Sequence, residues 1–171
     1  MKILFLGDSL IGFFDWQAHF TEHEVVNLGR AGETVEGLLS RIPAIMGKYP
    51  PPDLIFIMTG INNVAMEDFG FLGSYGKIIE KLTAAYPRSR IFIHSLLPTT
   101  LEWITNESIK EMDLLIRKIA EEKGVNFVDL YPEFIDKQGI PVKAYLLPDG
   151  VHLSDEGYAK WAGTLEGIIR C

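Results

Sequence analysis

Residues 3–10 read Ile-Leu-Phe-Leu-Gly-Asp-Ser-Leu, and this stretch decides the fold class. Residues 3–6 form a short, continuously apolar run, as expected for a strand covered on both faces. A Gly7-Asp8-Ser9 turn directly after such a strand sets a serine hydroxyl at the carboxyl edge of a sheet. In open α/β sheets that edge is where ligands bind. Gly-Asp-Ser is also ordinary turn chemistry, in which Asp and Ser side chains bond to nearby backbone. The serine therefore acquires chemical meaning only with a base, an orienting acid and oxyanion donors elsewhere in the chain.

Outward from this stretch the pattern repeats. Apolar runs recur at Val25-Val26, at residues 53–59, at 90–96 and at 125–130, each separated by a segment of helical periodicity. Phe13, Phe14, Trp16 and Phe20 follow the first run and read mostly as core. Glu33 or Thr34 opens a helix with Leu38, Leu39 and Ile42 on its inner face, and Pro43 should break or kink it. A later helix runs through Ile78, Ile79 and Leu82 and stops before Pro87. Thr105 or Asn106 caps one with Ile109, Met112, Ile116 and Ile119 inward, ended by Gly124. Ser154 caps the last, which carries Asp155 and Glu156 in its first turn and runs to about Ile169. Five strands alternating with helices make βαβ units, an α/β fold with a parallel sheet covered on both faces. Unusual polar turns follow three of the strands, at Ser9, at residues 29–32 and at Asn62. Strand ends of the same polarity share one edge, so these separated pieces converge.

Composition narrows the function. At 171 residues and 47% hydrophobic the chain suits a single domain, residues 1–171, with one core. A formal charge of −7 without a Lys/Arg cluster argues against nucleic acid as partner. The apolar run at the amino terminus is too short for a signal-peptide core or a membrane span, so a soluble cytoplasmic chain without stable membrane anchoring is expected. The single cysteine, Cys171, excludes an internal disulfide and reads as a terminal thiol.

Serine nucleophiles need a base to take their proton, a group to hold the base, and donors aimed at the developing oxyanion. Asp149 and His152, three residues apart, can share one loop so that the carboxylate meets Nδ1–H and Nε2 is left to face Ser9. The backbone N–H groups of Ser9 and Gly29 and the side-chain amide of Asn62 are candidate oxyanion donors; a glycine lets backbone approach a ligand closely. Each element alone has a plainer reading: Asp149 to His152 as a turn, Asn62-Asn63 as an Asx turn, Gly29 and Gly32 as a tight strand-to-helix turn.

The order Gly7-Asp8-Ser9-Leu10, Asn27-x-Gly29-x-x-Gly32, Gly60-x-Asn62 and Asp149-x-x-His152 resembles the SGNH or GDSL hydrolase family, across nearly the whole chain. The resemblance implies a flavodoxin-like three-layer α/β/α sandwich. It also implies catalytic roles for Ser9, Gly29, Asn62 and His152, with Asp149 orienting the histidine, and neither metal nor organic cofactor. One position departs from the common pattern, in which Asp follows the oxyanion asparagine; here it is Asn63. Gly60-x-Asn62-Asn63 and Leu96-Leu97-Pro98 are similar to the catalytic subunits of platelet-activating-factor acetylhydrolase. That similarity implies an acetyl or other short-acyl ester as substrate, small acylated carbohydrates or lipids as the class, and admits a homo-oligomer. Lysophospholipase or thioesterase activity, and a non-catalytic α/β binding module, are the alternatives.

Other residues carry less chemistry. Phe13, Arg30, Leu97 and Leu147 are candidates for contact with substrate. His94 sits inside a strand run and reads as a buried histidine. His19 and His23, near Glu22 and Glu24, lack a third zinc ligand and read as solvated. Asp8 reads as holding the nucleophile loop.

Overall fold

The computed structural model describes residues 1–170; Cys171 lies outside them. Five strands form one sheet: β1 (Lys2–Gly7), β2 (Glu24–Gly29), β3 (Leu54–Met58), β4 (Arg90–His94) and β5 (Asn126–Val128). Their order is β2-β1-β3-β4-β5, and all neighbours are parallel. β1 and β3 are buried almost throughout, which is why their sequences are continuously apolar rather than alternating.

Between β1 and β2 lie two short helices, α1 (Ser9–Gly12) and α2 (Trp16–His19). α3 (Val35–Lys48) connects β2 to β3, and α4 (Ile61–Ala65) and α5 (Leu72–Ala85) connect β3 to β4. α6 (Asn106–Glu122) precedes β5, and α7 (Asp155–Ile169) closes the chain. Right-handed crossovers place α3, α5 and α6 side by side on one face. The other face is covered by α2 and α7, which meet through Trp16 and Trp161 with ring centroids 5.0 Å apart. Phe5, Phe56 and His94 point into that layer: Phe5 stacks on Trp16 at 4.2 Å, Phe56 on Phe5 at 5.1 Å, and His94 meets the edge of Trp161 at 5.4 Å.

The helix limits follow their capping residues. Thr34, Thr105 and Ser154 each accept a bond from the backbone N–H three residues on. Gly124, at φ +67, takes the left-handed turn after α6. Pro43 corrects one expectation: α3 continues through it to Lys48. A proline removes one helical bond at a cost of roughly 3 kcal/mol. Ile42 and Ile45, buried on either side of it, supply apolar burial of comparable size, about 1.5–3 kcal/mol for each fully buried side chain. Residues 131–147 contain two 3-10 turns, Tyr131–Phe134 and Lys143–Tyr145, and no long element. No helix among the described residues is long and apolar enough to cross a membrane.

Candidate active site

Ser9 is the first residue of α1, immediately past the carboxyl end of β1. Asp8 caps this short helix, its Oδ1 accepting from Leu10 N–H at 3.0 Å, so it holds the turn as expected. The Ser9 hydroxyl lies 2.9 Å from His152 Nε2, and His152 Nδ1 lies 2.7 Å from Asp149 Oδ2. With Nδ1–H donated to the carboxylate, Nε2 is free to accept the Ser9 proton. Asp149 Oδ1 accepts from the backbone N–H groups of Val151 and His152, both at 2.9 Å. One carboxylate oxygen thus folds the loop while the other aims the ring. Burial works against the charged form of Asp149, but the bonds from Val151 and His152 outweigh it and hold the carboxyl below its ordinary value. The loop is tied to the segment after β4 by Thr100 N–H donating to Gly150 O at 2.9 Å. Residues 143 positions apart in sequence therefore meet because both follow strands at the same sheet edge.

The candidate oxyanion donors differ in what already engages them. Gly29 N–H donates to Asn27 Oδ1 at 3.0 Å, so it is occupied. Gly29 is glycine for packing: a Cβ there would sit 2.2 Å from Gly12 N and 2.8 Å from Asp8 O, both backbone. Gly32, at φ +72, has a backbone N–H with no partner among the described residues, as has Ser9. Asn62 donates one amide hydrogen to Glu33 O at 3.0 Å, which leaves the other free and sets the amide one residue from Gly32.

A set of side chains that carry no catalytic signature in sequence supports this turn. Arg41 of α3 donates through Nε to Glu33 Oε1 at 2.6 Å and through a terminal nitrogen to Glu33 Oε2 and Leu28 O, both at 2.5 Å. The same nitrogen lies 3.5 Å from Gly7 O. Asn63 is fully buried; its Oδ1 accepts from Val35 N–H at 3.0 Å, and its amide donates to Glu36 Oε2 and Asp68 Oδ2, both at 2.9 Å. An acid eight residues before a base across a predicted helix start was the only sequence sign of the Glu33–Arg41 pair.

The candidate substrate contacts separate. Phe13 is 59% exposed and its ring centroid stands 5.0 Å from that of His152. Leu147, 43% exposed, lines a cavity of 510 Å³ with Thr100, Lys143, Leu146 and Pro148, directly before Asp149 in the chain. Arg30 is exposed. Leu97 is corrected: it is 2% exposed and packs in the core, because the chain turns inward after β4. His94 is fully buried, and burial pushes its pKa down to about 3. His19 pairs with Glu166 at 3.1 Å, and no cluster of three or more His, Cys, Asp or Glu fit to hold a metal occurs among the described residues.

Residues 5–160 match the model of the GDSL-like Lipase/Acylhydrolase family. Over 173 residues the chain is 24% identical to platelet-activating factor acetylhydrolase IB subunit alpha2 of Rattus norvegicus, covering 98% of this chain and 75% of that protein. Among solved structures it is similar to a Streptococcus pneumonia protein described provisionally as a platelet activating factor. That match has a TM-score of 0.88 and 28% identity and covers 97% of this chain and 82% of that one. An acetylxylan esterase from Geobacillus stearothermophilus shares the fold at a TM-score of 0.73 and 24% identity, over 96% of this chain and 91% of that one.

Proposed function

Because the chain belongs to the GDSL-like lipase/acylhydrolase family and is a carboxylic ester hydrolase, we propose that it is a serine esterase working through a Ser9–His152–Asp149 triad on short-acyl, acetyl-type esters. The observation that carries this reading is the continuous line from Ser9 Oγ through both ring nitrogens of His152 to Asp149, with separations of 2.9 and 2.7 Å. The single hydrophobic core reaching from β1 to α7 supports treating residues 1–171 as one hydrolase domain.

In this reading Ser9 Oγ attacks the ester carbonyl carbon as its proton passes to His152 Nε2. The carbonyl oxygen becomes an oxyanion and takes bonds from Ser9 N–H, the free amide hydrogen of Asn62 and Gly32 N–H, the last replacing Gly29. The carbon–oxygen bond to the alcohol then breaks and the alcohol leaves with the Nε2 proton. Water gives its proton to the same nitrogen, attacks the acyl-enzyme and releases the acid, and Ser9 recovers its proton. Asp149 stays ionised throughout and holds the imidazolium. The acetyl preference rests on the acetylhydrolase and acetylxylan esterase names among the relatives. The 510 Å³ cavity lined by Thr100, Lys143, Leu146, Leu147 and Pro148, the last directly before Asp149 in the chain, supports a second reading with longer acyl chains, as in a lysophospholipase or thioesterase.

Two measurements test this. A serine-reactive phosphonate should label the wild type and not Ser9→Ala, and Asn62→Ala should lower kcat roughly 10²- to 10³-fold. Turnover in purified Ser9→Ala at the wild-type rate would end the nucleophile assignment. On p-nitrophenyl esters from acetate to palmitate, kcat/KM should fall steeply beyond butyrate; a maximum at long chains would select the second reading.

A further inference from the structure

Arg41 and Glu33 lie almost wholly out of solvent, with side-chain exposures of 10% and 8%, directly behind the turn that holds Asn62. A buried ion pair is weak support for stability, since desolvating both charges offsets their attraction and an apolar pair of similar volume often does as well. The other bonds of this pair show what it connects. One guanidinium donates to Leu28 O, one residue before the end of β2, lies 3.5 Å from Gly7 O at the end of β1, and grips Glu33 through both carboxylate oxygens. The planar fork of arginine makes this two-sided grip possible, which an ammonium cannot reproduce. Glu33 in turn presents its backbone carbonyl to Asn62.

The terminal torsion of an asparagine is broad, so its amide plane is not fixed by rotamer preference. The bond to Glu33 O fixes it, and a planar amide with one hydrogen fixed has the other fixed too. We infer that Arg41 and Glu33 are a positioning pair: by anchoring the turn of residues 28–33 to the ends of β1 and β2, they aim the free Asn62 amide hydrogen at the oxyanion formed on Ser9. The pair touches neither substrate nor nucleophile, and the inference rests on the serine-esterase reading above.

The test is a mutant cycle between the pair and Asn62, read as kcat and KM on p-nitrophenyl acetate. Glu33→Gln/Arg41→Met removes the grip without leaving a lone buried charge; Arg41→Lys keeps the charge and loses the fork, and serves if the first fails to fold. Either variant should lower kcat roughly 10²-fold or somewhat less, the scale of a misplaced catalytic group, with KM within about threefold of wild type. In an Asn62→Ala background the same change should lower kcat by less than about threefold, because the amide it aims is gone. Wild-type kcat in both single backgrounds, or losses that multiply with Asn62→Ala, would overturn the inference. Failure of the phosphonate to label Ser9 in the wild type would instead overturn the underlying reading, so the two failures are distinct.

Discussion

Asn63 stands fully buried between two carboxylates, and its amide is the one group there that can donate to both. Aspartate at this position would keep an acceptor for Val35 N–H but set a third carboxylate against Glu36 and Asp68. Asn63→Asp should therefore destabilise the fold by about 3 kcal/mol or more at pH 8, the scale of an uncompensated buried charge. The loss should shrink toward pH 5, where the introduced carboxyl, buried and beside like charges, takes up a proton; urea denaturation at the two pH values measures it. Legibility divides sharply at this scale. The meeting of Ser9, Asp149 and His152 could be read because each is a polar residue in a turn after an apolar run or before a capped helix. The role of Arg41 could not, because its acid partner Glu33 lies eight residues back across a helix start, a spacing no helical pattern marks, and its other partners are backbone carbonyls. Leu97 was misplaced for a related reason: an apolar residue past a strand end can face a pocket or the core, and periodicity has run out there.

Among the elements, the junction of β2 with α1 governs how closely the turns approach Ser9. Gly29 and Gly32 belong to the same sequence block, yet the structure uses them differently. A methyl group on Gly29 would press on backbone atoms of Gly12 and Asp8, as close as 2.2 Å, and would force β2 away from α1. On Gly32 it would meet nothing within 4 Å but would strain a residue at φ +72. Gly29→Ala should thus lower the melting temperature substantially, whereas Gly32→Ala should cost only about 1–2 kcal/mol, the usual penalty for a left-handed residue. Thermal unfolding of the two variants side by side checks this; equal losses would contradict it. The sequence showed that a glycine turn lies here but not which glycine packs and which opens, since both would read alike in any strand-to-helix turn. The α3 helix makes a similar point, because Pro43 is a local signal that burial of its neighbours overrides.

Over the whole molecule, the alternation of apolar runs with helical periods was enough to predict the parallel sheet, and the sheet brings the turns together. What periodicity cannot show is the charge state of groups it buries. Burial raises Asp8 to about 7 and Asp113 to about 8, while it lowers His94 to about 3. Unfolded, the two carboxyls ionise above pH 3.8, so from there upward the native state holds more protons and stability falls with pH until the folded values are passed. His94 acts oppositely: unfolded it takes a proton below pH 6.5, so its contribution is lost as pH falls toward 3. Between 3.8 and 6.5 two groups pull one way and one the other. Above 6.5 the opposition from His94 fades and the carboxyls dominate, but the slope stays below the about 2.7 kcal/mol per pH unit of two fully protonated groups, because Asp8 and Asp113 themselves lose protons near 7 to 8. The protein should therefore melt at higher temperature at pH 5 than at pH 8, contrary to the usual optimum between pH 5 and 8. Asp113→Asn keeps the oxygen that accepts from Leu96 N–H and removes one titration, so it should flatten the decline above pH 6.5 by about half. Thermal unfolding of both proteins in steps from pH 5 to 8 reads the two slopes directly, and parallel curves would show that Asp113 is ionised in the folded state.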